Sequence, residues 1–126
     1  MTFVDTNVFM YAVGRTHPLR LPARDFLRDA LHHHQRLCTS AEVLQELLHA
    51  YLPVGRLQTL DAALELAQAS AHEIWPVEAG DVLLARDAVV RFPGLGARDV
   101  LHLACCRRHG VNKIKTFDRG LAAAFA

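Results

Sequence analysis

Hydrophobic and polar positions alternate in blocks along the chain, and the blocks read as short strands each followed by one or two helices. The chain opens with an apolar pair, Phe3 and Val4, that meets an acid at Asp5 and then turns helical from Val8 to Val13. This is how a buried parallel strand ends at the lip of an α/β sheet. Gly14 to Pro22 breaks the pattern with two prolines. From Ala23 to His33, Phe26, Leu27, Ala30 and Leu31 recur at helical spacing among charged neighbours. Arg36 to Thr39 reads as a second strand, and Ser40 to Tyr51 as a helix opened by a Thr39-x-x-Glu42 capping box. Leu57 to Ala71 is helical again, its inner stripe formed by Leu57, Leu60, Ala63, Leu64, Ala67 and Ala71. Ile74 to Val77 is a third strand whose proline suits a strand end or sheet edge. Glu78 to Val90 returns to helix, with Asp81 and Asp87 on its solvated side.

Phe92 to Gly96 is a Pro-Gly loop that delivers a helix from Ala97 to about Cys106, its Asp99 in the first turn and Gly110 closing it as a C′ glycine. Lys113 to Phe117 is the last strand, and Asp118 stands where it gives way to a helix. Strands alternating with helices predict a parallel sheet covered on both faces through right-handed crossovers.

Composition narrows the class. The 126 residues, 52% hydrophobic and 21% charged, suit one soluble domain spanning 1–126. No apolar run is long enough to cross a bilayer, and the N-terminus lacks the pattern of a secretory signal, so a cytoplasmic protein without membrane partners is expected. Three cysteines, two of them adjacent, make neither a disulfide framework nor a Cys-x-x-Cys metal site. The net charge of +1 does not by itself announce nucleic acid. The histidines show no ligand spacing, and His32-His33-His34 sits where a helix C-terminus favours cations.

Candidate chemistry lies with four acids. Asp5, Asp99 and Asp118 each stand at a strand end or helix start, and Glu46 stands one turn into the helix after the second strand. Each has an innocent reading alone, as a cap or a solvated side chain. Together they describe carboxylates converging on one sheet edge, where they repel unless a cation neutralises them. Oxygen ligands select hard ions such as Mg²⁺ or Mn²⁺, which suit phosphate chemistry. No histidine pair, serine elbow or phosphate-binding glycine loop competes for the role.

The set Val4-Asp5-Thr6-Asn7, Leu44-Gln45-Glu46-Leu47-Leu48, Arg98-Asp99-Val100-Leu101-His102-Leu103-Ala104 and Thr116-Phe117-Asp118-Arg119 resembles the PIN domain. Length and motif order are most similar to its VapC-type toxins of bacterial toxin–antitoxin pairs. The resemblance implies a three-layer α/β/α fold, a twisted parallel sheet of four to five strands with helices on both faces. It further implies a metal-dependent endoribonuclease that hydrolyses RNA phosphodiester bonds through a metal-activated water. Carried over, Asp5, Glu46, Asp99 and Asp118 match the family's catalytic acidic quartet. Asp5, Asp99 and Asp118 would be the Mg²⁺ or Mn²⁺ ligands, and Glu46 would hold or activate the water. Asn7 and Thr116 would support them through hydrogen bonds. A homodimer silenced by a cognate antitoxin is implied as well.

The family often adds a strand after the last acidic motif, where this chain has Ala122-Ala123-Ala124-Phe125-Ala126. A strand is therefore missing or the end is helical. Two other readings compete: a catalytically weak or silent PIN-like module that binds RNA or protein, and an aspartyl-phosphate phosphatase. The latter wants a second acid two places after Asp5, where Asn7 stands.

Overall fold

The computed structural model describes all residues, Met1 to Ala126. Four parallel strands form one sheet: β1 (Thr2–Val4), β2 (Leu37–Ser40), β3 (Glu73–Trp75) and β4 (Ile114–Lys115), in the order β3-β2-β1-β4. Between them run α1 (Thr6–Val13), α2 (Arg20–His32), α3 (Ala41–Tyr51), α4 (Leu57–Ser70), α5 (Ala79–Ala88) and α6 (Ala97–Arg108), with α7 (Arg119–Ala124) at the end. The strands step outward from β1 to β3, then the chain returns across the sheet to place β4 on the other side of β1. Right-handed crossovers put connections of opposite direction on opposite faces. Accordingly α1 to α4 pack together as one group, and α5 packs with α6 as another.

The same path makes β1 and β4 a topological switch point. Neighbouring connections leave their carboxyl ends in opposite directions there, which opens a crevice. Asp5 follows β1, and Thr116 to Asp118 follow β4, so both acids arrive at that crevice.

The core is built around Phe3, Val4, Val8, Phe9, Val43 and Leu47, all fully buried. On one face Phe3 stacks on Trp75 (5.8 Å between centroids), and Trp75 lies flat on His109 at 3.9 Å. Cys38, Cys105 and Cys106 are free and buried, and burial raises all three thiols, so each stays protonated and inert.

 Cys38 and Cys105 rise to about 12, and Cys106 goes higher still.

Several local expectations are corrected. Thr39 does not cap α3. It is a buried β2 residue whose hydroxyl donates to the Val4 carbonyl at 3.0 Å, and Ser40 takes the N-cap position without a side-chain bond. Pro22 does not break the chain. It sits in the first turn of α2, where the missing N–H has no intrahelical partner to lose. Asp81 is fully buried rather than solvated: it closes a capping box with Glu78 and pairs with the Arg108 guanidinium, which holds its carboxyl below the usual range. Leu57 lies exposed, outside the stripe assigned to it. The third strand begins one residue earlier, at Glu73, and stops before Pro76; it is an edge strand, as its proline suggested. The last strand shrinks to two residues, and the end of the chain is helical, so the sheet has four strands and no fifth. Gly110 closes α6 at φ 68°, a left-handed conformation that favours glycine.

Candidate active site

Asp5 caps α1: its Oδ1 accepts from the Thr6 N–H at 2.8 Å. Its other oxygen accepts from the Thr116 hydroxyl at 2.7 Å, which ties the end of β1 to the end of β4. Asn7 braces this link twice, donating to Thr116 Oγ1 (3.3 Å) and accepting from the Phe117 N–H (3.2 Å). Thr116 Oγ1 also accepts from the Asp118 N–H at 3.0 Å. Both carboxylate oxygens of Asp5 are thus engaged by donors, and one of those donors is itself braced by Asn7.

Glu46 reaches the same place from the second turn of α3. The Thr6 hydroxyl donates to its Oε2. Its Oε1 lies 2.7 Å from Nε2 of His102, a residue buried completely on α6. The same Nε2 is 3.6 Å from Asp5 Oδ1, and the ring packs on Phe3 at 5.4 Å. Glu46 Oε1 and both ring nitrogens are buried without a well-aligned hydrogen bond. Charge, not a linear hydrogen bond, holds this pair.

Asp99 is half-buried on the first turn of α6. Burial raises its pKa, and the charges of Asp5 and Asp118 push it further. Asp118 is exposed, and its Oδ1 caps α7 by accepting from the Leu121 N–H at 3.0 Å. Asp5 is raised as well, chiefly by burial, with His102 and the Thr116 hydroxyl opposing. Burial works against the charge of Glu46 too, but His102 and Thr6 outweigh it and lower the pKa. His102 shows the reverse balance: burial lowers it, and Glu46 with Asp5 and Asp99 raises it above 6.5.

The four expected acids thus fall into one electrostatic cluster, though not with equal intimacy. Ligand atoms of Asp5, Glu46 and His102 all lie within 4.8 Å of one another, whereas Asp99 and Asp118 flank them. His102 is the residue that sequence reasoning missed. The signal was present: it stands three places after Asp99 on a helix, and that spacing shares a face. A cavity of about 590 Å³ lies away from this chemistry, between α2 and α4 at the amino end of β2. Its lining contains no carboxylate.

A divalent cation fits the cluster. Two carboxyls are raised by burial and mutual repulsion, and a buried carboxylate oxygen lacks a proper donor. Both features mark a deficit of positive charge, and the donors are mostly the oxygens that hard ions prefer.

The PIN-domain family model matches residues 2–125, and the chain belongs to that family. Among its relatives, Ribonuclease VapC23 of Mycobacterium tuberculosis is 68% identical over 125 residues, spanning 99% of this chain and 98% of the relative. Ribonuclease VapC13 of the same species is 42% identical over 120 residues, or 95% and 92% of the two chains. The crystal structure of Mycobacterium tuberculosis VapC20, a sarcin-ricin loop cleaving toxin, matches with a TM-score of 0.80 over 98% of this chain and 95% of that one. Its 20% identity speaks for the fold alone.

Proposed function

We propose that residues 1–126 act as one PIN-like unit, a Mg²⁺- or Mn²⁺-dependent endoribonuclease and the toxin of a toxin–antitoxin pair. The observation that carries this reading is the buried carboxylate cluster at the switch point, in a chain 68% identical to a VapC ribonuclease. No helix is long and apolar enough to cross a membrane, and the proposed setting is the cytoplasm. A cognate antitoxin and a second copy of the chain are its proposed protein partners.

Asp5, Asp99 and Asp118 are the proposed metal ligands. Bound there, the cation would supply Lewis acidity toward the phosphate and help ionise water at neutral pH. Asp5 is already fixed by the Thr6 N–H and Thr116, and Asn7 holds Thr116 in place. Glu46, kept ionised by His102 and Thr6, accepts a hydrogen bond from the attacking water and turns its lone pair toward phosphorus. His102 positions Glu46 and offsets part of the cluster's charge. Nothing in this arrangement calls on the 2′-hydroxyl, so the products should carry a 5′-phosphate and a 3′-hydroxyl.

The test is cleavage of a small-RNA pool by the purified protein, free of antitoxin, with Mg²⁺ or Mn²⁺ and then with EDTA. Cutting that stops in EDTA and leaves 5′-phosphates supports the reading. A 2′,3′-cyclic phosphate product, or cutting indifferent to EDTA, refutes it.

A further inference from the structure

Beyond Asn7, a cavity of about 320 Å³ opens along α1, walled by Asn7, Tyr11, Gly14 and Arg15 on one side and by Tyr51 and Arg56 on the other. Asn7 belongs to both places: it braces Thr116 at the catalytic end and lines the cavity at the other. Asn7, Tyr11 and Gly14 recur at helical spacing, so the cavity follows one face of α1 for about 10 Å at 1.5 Å per residue. Gly14 makes the far wall possible. A Cβ there would lie 2.8 Å from the Met10 carbonyl oxygen, so a side chain would force the turn open.

The lining has two chemistries. Arg56 is held in place, its guanidinium 5.7 Å from the Tyr51 ring centre and 3.2 Å from the Thr59 hydroxyl, while Arg15 is exposed. Neither is ion-paired, although a cluster of acids lies at the other end of α1. Beside them, exposed His17 lies over Tyr11 at 4.6 Å with the rings 31° apart, and Phe117 meets Tyr11 edge-on at 5.6 Å. Unpaired guanidiniums suit phosphates, and a ring platform reaching solvent suits a base, whose flat face stacks regardless of sequence.

We infer that this cavity is the subsite for the single-stranded RNA flanking the cut, with Arg15 and Arg56 on backbone phosphates and a base stacked on the His17–Tyr11 pair. The inference rests on the ribonuclease reading for the cut itself. An acidic protein segment would use the arginines, but it would leave the ring platform without a partner.

The test is binding of a short fluorescein-labelled polyadenylate strand in EDTA, followed by anisotropy across a salt series, beside a cleavage assay with Mg²⁺. Arg15→Gln with Arg56→Gln should weaken binding about tenfold and flatten the slope of log affinity against log salt by about 1.4, the value for two single-strand phosphate contacts. His17→Ala should weaken binding on the order of tenfold with the slope unchanged. Arg86→Gln on α5, away from the cavity, should do neither. Should Arg56→Gln unfold the chain, Arg15→Gln alone should still flatten the slope by about 0.7.

Arginine variants that keep the parent's affinity and slope would overturn the subsite, even while the parent still cuts RNA. The same holds if they lose an acidic protein partner and keep RNA. Binding that responds as expected in a parent that never cuts would uphold the subsite and overturn the nuclease reading. A parent that neither binds nor cuts would overturn both.

Discussion

Replacing Asp99 with asparagine is expected to lower RNA cleavage about 10³-fold or more, with the folded chain as stable as the parent or slightly more so. The loss follows from removing one charged ligand of a cation whose Lewis acidity contributes several kcal/mol to the transition state, at 1.36 kcal/mol for each tenfold. The stability result follows from the same electrostatics with the opposite sign. Burial and the neighbouring charges of Asp5 and Asp118 raise Asp99, so its ionised form costs the metal-free fold something at neutral pH. Asparagine keeps the shape and removes that cost. Cleavage kinetics and a thermal melt in EDTA check both halves. A residue serving only to cap α6 would show the reverse, a lower melting temperature with activity intact.

The second large effect concerns His102. His102→Leu should lower cleavage about 10- to 100-fold, the usual range for a group that orients others at a metal site. His102→Gln, which keeps a polar side chain but carries no charge, should recover little of it. A stability readout separates this role from simple packing. His102 is raised above 6.5 in the fold, so its stabilising charge is fully present below 6.5 and is lost as pH rises through the raised value. Glu46 is lowered, so its contribution is present above 4.5 and is lost as pH falls through the lowered value. Asp5 and Asp99 are raised, so their ionisation weighs against the metal-free fold once pH passes the ordinary 3.8 and climbs through their raised values. The metal-free parent should therefore be most stable in mild acid and lose stability toward alkaline pH. In His102→Leu the share of the loss above 6.5 that belongs to His102 should be missing, and the profile should be flatter there. Melting temperatures across pH in EDTA measure it, and an unchanged profile would remove the charge role from His102.

How far the chain could be read in advance depended on whether a residue's surroundings were local. Asp5 and Asp118 were legible because an apolar strand running into an acid marks the carboxyl edge of a parallel sheet, and the strand order then brings both edges together. Thr116 and Asn7 were legible only through the resemblance, since the bond between them spans 109 residues. His102 was passed over because metal-ligand spacing among histidines was sought, and its partners are carboxylates on other elements. Asp81 was set on the solvated side because it is an acid, yet it shares its helix face with Ala85 and Ala88, and Arg108 on α6 pairs with it there. The Thr39-x-x-Glu42 pattern failed because Thr39 belongs to a strand interior, where its hydroxyl serves a neighbouring strand instead of the next helix. On α5, Val82 and Leu83 are apolar by type yet lie 53% and 67% exposed, because Ala85 and Ala88 form the buried side.

The central claim is that the carboxylates beside β1 and β4 hold a divalent cation, and it can be tested without knowing which RNA is cut. Mn²⁺ would be titrated into the metal-free parent, Asp5→Asn and Asp99→Asn, with binding followed by calorimetry or by loss of the free-ion electron paramagnetic resonance signal. The expected result is saturable binding by the parent that each substitution weakens severely. Equal binding by all three proteins, or none by a folded parent, would contradict a metal centre at this site.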